Sequence, residues 1–436
     1  MERRQYLASA GVMLGAGCLS NNSTPESWQS YEAPTDTPPG EFESGTSSGI
    51  WEYDSPGNYM AIGVDDEGVH VATSTALTCL SPVGEINWIT DSSEDSYDVV
   101  RPHNLTVAGS TVYYTARVSG TSFGTNYVGE YGAYDTASGE QRWVTTLDTV
   151  AQNIISVTED TVLASQMSDD PSTAPVFALD AETGEEQWRT VTGMDMGSAV
   201  SHGLCLIYSI VDGLTALDIA TGDVAWRRTP GEGYSAQVSV AGDTLCLFLE
   251  GTVYGYSLPD GTQQWEQSIA GDGYARHPPS NSAQTSDLYI ATDSGNLTAL
   301  NAATGEKRWV VTTNADGYPE MCVGTDSVFQ HSGTAIASYD PVDGDRRWAY
   351  SLGSDYESSW LFIADGNLIL ITQEADQEPV VKAFDAETGH RQWSAQLPTA
   401  DIPRVMGVFD EYIVFEKEER LIGVPAPLST PTEHAE

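Results

Sequence analysis

ALDAETGEEQW, residues 178–188, decides how the rest of the chain is read. Ala178 opens it, Asp180 and Gly184 bracket a turn, and Trp188 closes it ten positions after the start. The same frame returns in TCLSPVGEINW (78–88), AYDTASGEQRW (133–143), ALDIATGDVAW (216–226), GYSLPDGTQQW (255–265), ALNAATGEKRW (299–309), SYDPVDGDRRW (338–348) and AFDAETGHRQW (383–393). The tryptophans of these eight copies lie 38 to 55 residues apart. A period of that size marks a radial or solenoidal array rather than one conventional core.

Ahead of each unit runs a short segment rich in β-formers, such as Thr161-Val-Leu-Ala164, Leu204-Cys-Leu-Ile-Tyr208 and Leu368-Ile-Leu-Ile371, which reads as a strand. The unit itself predicts a second strand, a turn at Asp-x-x-Thr-Gly and a third strand carrying the tryptophan. At the turn, the carboxylates of Asp135, Asp180, Asp218, Asp340 and Asp385 can accept from backbone N–H groups two or three residues on. The glycine that follows can take positive φ without steric cost, which gives a tight hairpin with a bulge. The first position is small in all eight copies, Thr78, Ala133, Ala178, Ala216, Gly255, Ala299, Ser338 and Ala383, so something large packs against it. Tryptophan is the candidate, since an indole buries on the order of 200 Å² and carries an N–H in need of a partner. Four short strands in each period of about forty residues fit an all-β fold, a β-propeller of four-stranded blades.

This unit resembles the repeat of the pyrroloquinoline-quinone-like (PQQ-like) β-propellers, and the likeness covers residues 51–427. That superfamily includes quinoprotein alcohol dehydrogenases and the lipoprotein subunit of the bacterial outer-membrane barrel-assembly machinery. The resemblance implies that Trp88, Trp143, Trp188, Trp226, Trp265, Trp309, Trp348 and Trp393 dock between adjacent blades. The first copy departs, with Leu80 where Asp is usual, and so does the fifth, with Ser257. After Trp393 a further segment, Tyr412-Ile-Val-Phe415 then Leu421-Ile-Gly-Val424, lacks a tryptophan strand. Trp51, in Gly49-Ile-Trp-Glu-Tyr53, can supply it and lock the ring by joining the two chain ends. Counting units this way gives nine blades; the resemblance implies eight, and eight is the expectation.

The first eighteen residues, MERRQYLASAGVMLGAGC, place Arg3 and Arg4 before a weakly apolar stretch too short to span a bilayer. They resemble a twin-arginine export signal, and the small residues running into Cys18 resemble a lipobox, which implies lipidation of Cys18. Leu14 departs by one position from the usual lipobox spacing. Residues 19–49, rich in Ser, Thr, Pro, Gly and Glu, have little to bury and read as a flexible tether. The expected layout is a signal at 1–18, the tether at 19–49, the propeller at 50–428 and a disordered tail at 429–436. Sequons at Asn21, Asn22, Asn104 and Asn296 are available to glycosylation on an exported chain.

The chain carries 63 acidic against 18 basic residues, a net charge of −45, and its lysines are Lys307, Lys382 and Lys417 alone. Self-repulsion of that size destabilises a compact state in dilute buffer. At molar salt the Debye length falls to about 3 Å, which screens it. Carboxylates spread over every unit therefore point to a high-salt setting, like that of haloarchaeal secreted proteins. Nucleic-acid binding is disfavoured, because phosphate contacts need clustered Lys and Arg.

Catalytic motifs are scarce. The histidines, His70, His103, His202, His277, His331, His390 and His434, have no metal-ligand spacing. In the quinoprotein relatives the resemblance implies an adjacent-cysteine disulfide against the quinone and a calcium held by Glu, Asn and Asp. No two cysteines are adjacent among Cys18, Cys79, Cys205, Cys246 and Cys322, and the last four read as buried free thiols. Asp340, Asp343 and Asp345 offer oxygens, but two of them occupy turn positions of the repeat. Arg227-Arg228 and Arg346-Arg347 read as salt-bridging pairs on an acidic surface. The expectation is a non-catalytic scaffold without cofactor, held to the outer face of the cell membrane by its lipid, with a protein or surface-glycan partner. The alternative is a PQQ-dependent dehydrogenase with a divergent site.

Overall fold

The computed structural model describes residues 50–426, apart from 55–60, 66, 74–75, 92–99, 120–126, 148–149, 169, 232–235, 270–279, 282–286, 293–294, 313–319, 332–334, 353–355, 365, 375–376, 400–401, 410–411 and 418–419. The signal segment with Arg3, Arg4 and Cys18, the tether and residues 429–436 lie outside the described residues.

The chain folds into four-stranded antiparallel sheets, the blades of an all-β propeller, and among the described residues there are nine of them rather than eight. Blade 3 shows how the repeat makes one. Its strands Val150–Val157, Thr161–Met167, Pro175–Asp180 and Glu186–Val191 pair in chain order. The run Pro175–Leu179 is buried, which is why it is continuously apolar instead of alternating. The outer strand is covered on one face only, so exposed Glu186, Gln187 and Arg189 surround a half-buried Trp188. Between the last two strands the pairing slips after Ala178↔Trp188 to Leu179↔Glu186, the bulge that the turn glycine permits.

The ninth sheet explains the corrected count. Arg404–Phe409, Tyr412–Lys417 and Arg420–Pro425 form three strands, and the fourth is Trp51–Asp54, with Trp51 opposite Gly423 and Asp54 opposite Arg420. Each tryptophan unit already owns a complete sheet, so no degenerate unit is absorbed elsewhere. The Arg420 guanidinium bonds Asp54 and Glu52, at 2.8 Å each, tying the two chain ends at the outer edge.

By internal packing the blades group into two compact units. One comprises blades 1–4 and 9, residues 50–229 and 403–426, and the other blades 5–8, residues 230–402. In each, the core lies between facing sheets. In the first unit Tyr131 and Trp143 of blade 2 pack on Val162, Phe177 and Leu179 of blade 3, with Tyr131 edge-on to Phe177 at 5.2 Å. Trp51, Val414 and Leu421 of blade 9 meet Val69, Val71 and Leu80 of blade 1. In the second unit Phe329, Ile336 and Trp348 of blade 7 pack on Leu368, Leu370 and Phe384 of blade 8. Each such large side chain contributes roughly 1.5–3 kcal/mol on burial.

Blade 1 departs from the alignment of the units. Elsewhere the first residue of the unit faces its own tryptophan, as Ala133 faces Trp143 and Ala216 faces Trp226. In blade 1 Trp88 faces Cys79, and Thr78 faces Ile89. The small position is therefore Cys79, and the turn is one residue shorter. Its closing bond runs from Gly84 N to Ser81 O at 3.0 Å, three residues back, where Gly139 reaches four residues back to Asp135. Ser81, not Leu80, takes the place of the turn aspartate, and its Oγ accepts from Glu85 N at 3.1 Å.

Candidate functional site

The recurring side chains converge on the joints between neighbouring blades. In blade 2 the outer strand holds Trp143 so that its Nε1 donates to Ala181 O in the turn of blade 3, at 2.9 Å. Trp88 reaches Thr136 O at 2.7 Å and Trp188 reaches Ile219 O at 2.8 Å. In the other unit Trp265, Trp309 and Trp348 reach Ala302, Pro341 and Ala386 at 2.9, 3.1 and 3.2 Å. The acceptor is each time the carbonyl just after the turn aspartate or its substitute. Trp51 makes the same bond from blade 9 to Pro82 O in blade 1, at 2.6 Å. Trp226 is buried, with the Arg228 guanidinium 5.9 Å from its ring centroid. Trp393 is buried as well, and its Nε1 has no hydrogen-bond partner among the described residues.

The turn glycine makes this approach possible. Gly184 has φ of 73°, and a Cβ placed there would lie 2.5 Å from Cδ2 of Trp143. Gly222 stands in the same relation to Trp188, with φ of 72° and the same 2.5 Å. Positive φ and an indole lying flat against the backbone both exclude a side chain, so the position admits glycine for two independent reasons. In blades 5 and 9 the first position does the same from within the blade: a Cβ on Gly255 would collide with Trp265, and one on Gly423 with Trp51.

The turn aspartates hold the acceptor carbonyl in place. Asp180 Oδ1 accepts from Glu182 N at 3.1 Å, Thr183 N at 2.9 Å and Thr183 Oγ1 at 3.0 Å. Asn301 does the same work in blade 6, accepting from Thr304 N and Oγ1 at 3.0 and 3.1 Å. Asp135 adds a partner: Arg142 Nη2 lies 2.8 Å from its second oxygen. That guanidinium, with the turn donors from Ser138, lowers the Asp135 carboxyl to about 2. Arg347 clamps Asp340 at 2.7 Å and lowers its carboxyl in the same way. In blade 6 Arg308 Nε meets the buried Asp287 at 2.6 Å. The reading of Arg227-Arg228 and Arg346-Arg347 as salt-bridging pairs names no partner, and it does not reach Arg142 or Arg308. The signal of the clamp was an arginine directly before Trp143, Trp309 and Trp348. Arg227 keeps a looser contact, 3.6 Å from Asp212.

Reactive side chains are dispersed. Cys79, Cys205 and Cys246 are buried free thiols and Cys322 is a half-buried one; burial pushes the Cys79 thiol up to about 11. His70 is fully buried, its Nε2 2.9 Å from Asp65 Oδ1 and its ring 5.7 Å from that of Trp88. Asp195, just before the first strand of blade 4, accepts from Gly197 N and Ser198 Oγ at 2.9 and 3.0 Å, and burial raises its carboxyl. Among the described residues no three His, Cys, Asp or Glu side chains gather as a metal site. Asp340 and Asp343 occupy the turn, accepting from Val342 N at 2.8 Å and from Asp345 N at 2.9 Å.

A family model described as Outer membrane protein assembly factor BamB matches residues 72–191, 172–321 and 318–423, and the chain belongs to that family. A curated protein of the same name from Burkholderia pseudomallei (strain K96243) is 24% identical over 259 residues, which cover 53% of this chain and 64% of that protein. The chain thus spans less than two thirds of that relative's length. Among solved structures, BamB from Moraxella catarrhalis aligns over 78% of this chain and 94% of its own, with 17% identity and a TM-score of 0.48. The computationally designed Ika8 protein aligns over 77% and 98%, with 13% identity and a TM-score of 0.53, a likeness of fold.

Proposed function

We propose that this chain is a non-catalytic scaffold that binds a protein partner outside the cytoplasm, tethered to the membrane through Cys18, in a high-salt setting. The observation that carries the reading is the family match across residues 72–423, to a family described as an outer membrane protein assembly factor. The recurring side chains support it, because they are used in joining blades and shaping turns rather than in assembling a reaction centre. The first eighteen residues support export and anchoring: Arg3 and Arg4 stand before a short apolar stretch that ends at Cys18. The charge of −45 supports the high-salt setting.

Two measurements test it. Cell fractionation of Cys18→Ser is expected to shift the protein from membrane to medium, and membrane retention equal to wild type would remove the lipid tether. Affinity capture of the full chain from salt-matched cells, after cross-linking, is expected to return a protein partner in defined stoichiometry. An absorption band and mass of a bound quinone, with dye-linked turnover of an alcohol, would replace the scaffold by a dehydrogenase.

A further inference from the structure

Among the described residues the outer strand of each blade stands at the edge of its sheet, and the backbone N–H and C=O groups of an edge strand can template another strand. Natural sheets defend such edges with charge. Here Arg142, Arg189, Arg227, Glu266, Lys307 and Arg346 stand exposed on the outer strands of blades 2 to 7. Blade 8 carries Arg391 and blade 9 Glu52 at the same edge. Blade 1 breaks the rule. Its outer strand, Ile86–Asp91, reads INWITD, with no charge before its last residue. Ile86 and Ile89 are 53% and 48% exposed, and Val83 just ahead of them is 52% exposed. Among the described residues this strand pairs with Ala76–Leu80 on one side and with no strand on the other.

Its surroundings specify the occupant. Residues 5–100 contain no lysine or arginine, and within blade 1 the charged residues are Asp65, Asp66, Glu67, Glu85 and Asp91. Glu67 and Glu85 are exposed, and Glu67 borders the edge through its carbonyl, 3.4 Å from Asn87 Nδ2. A second copy of this chain would set one all-acidic blade against another. A cationic strand meets complementary charge instead. We propose that the outer edge of blade 1 is a strand-addition site for an extended partner segment that alternates basic and β-branched residues. Six residues of strand span about 20 Å, enough for several main-chain hydrogen bonds, while Ile86 and Ile89 supply apolar contact. This inference rests on the reading of the chain as a protein-binding scaffold, but its test is independent of tethering and of any native partner.

The probe is a fluorescein-labelled, amidated nine-residue peptide alternating lysine and valine, titrated by anisotropy into the full chain at the lowest salt that preserves its native circular dichroism. Binding is expected, weakened at least about tenfold by Ile86→Lys with Ile89→Lys and unchanged by Val144→Lys on the edge of blade 2. A peptide with alternate amides N-methylated keeps the charge and loses the ladder; it is expected to bind at least about tenfold more weakly to the unaltered chain. Absence of binding, or equal binding of the N-methylated peptide, overturns the proposal. So does sedimentation showing a dimer that Ile86→Lys with Ile89→Lys dissolves and that the peptide does not compete with, since the edge would then serve a second copy.

Discussion

Blades 1 and 3 both receive a tryptophan from a neighbouring blade, yet they are built from different chemistry. In blade 3 the receiving turn is complete: Asp180 caps it, Gly184 lies under Trp143 and Ala181 O accepts the indole N–H. In blade 1 the turn has lost a residue, Ser81 stands for the aspartate, and the incoming ring, Trp51, comes from the far end of the sequence relative to the sheet that carries it. The joint survives both changes, because Gly84, with φ of 79°, still lies under the ring and Pro82 O still accepts its proton. What the two joints share is a bare glycine face and one accepting carbonyl. The aspartate positions that carbonyl and is replaceable.

The largest expected effect is on the rings themselves. Trp143→Ala removes a buried indole and is expected to cost about 3–5 kcal/mol, and Trp51→Ala about the same despite its separation in sequence. Thermal unfolding midpoints of the two variants would break the comparison if Trp51→Ala proved near neutral, since the chain-end strand would then be decoration on a sheet stable without it.

The turn caps should matter less and unequally. Asp180→Ala loses several turn hydrogen bonds and is expected to cost about 1 kcal/mol, whereas Ser81→Ala loses one and is expected to cost roughly half as much. Denaturant midpoints for the pair measure the difference. A larger loss at Ser81 would mean that the shortened turn depends on its cap more than the full one does.

How much of this was legible beforehand follows from the same residues. The hairpin, its bulge and the tryptophan strand could be read because Ala178, Asp180, Gly184 and Trp188 hold fixed spacing, and each residue type has one physical reason to be there. The one-residue deletion in blade 1 was hidden: Thr78 and Cys79 are both small, so an eleven-residue frame fitted with Gly84 in place. Strand pairing alone separates the two, through Trp88 opposite Cys79. The ninth blade was legible as an orphan, three strands lacking a fourth, with Trp51 as the spare strand; resemblance to eight-bladed relatives argued the other way. Arg142 and its clamp on Asp135 were not legible, because residues at opposite ends of a hairpin meet only once the bulge has set which face the arginine takes.

A smaller effect sharpens the account of the clamp. Asp135 is held below the usual 3.8, at about 2, so the folded state favours its ionised form. Its stabilisation is present above pH 3.8 and is lost as pH falls from there through about 2. Asp135→Asn should therefore lower the unfolding midpoint at neutral pH by a small amount, with the gap to wild type closing across that acid range. A gap that persisted unchanged to the acid end would place the stabilisation in neutral hydrogen bonds instead of the Arg142 pair.

The central claim, that a turn glycine such as Gly222 is there because a tryptophan lies against it, is tested most directly within blade 4. Gly203 and Gly222 both have φ of 72°, but a Cβ on Gly203 would meet nothing within 4 Å while one on Gly222 would lie 2.5 Å from Trp188 Cδ2. Gly203→Ala should cost only the backbone strain, about 1 kcal/mol, and Gly222→Ala that strain plus the collision, about 2–4 kcal/mol in all. The decisive measurement is the double-mutant cycle of Gly222→Ala with Trp188→Ala by equilibrium unfolding. The cost of Gly222→Ala is predicted to fall to that of Gly203→Ala once the ring is gone, a coupling of about 1–3 kcal/mol. Strictly additive costs would contradict the account, for they would show that glycine and tryptophan recur together without acting on each other.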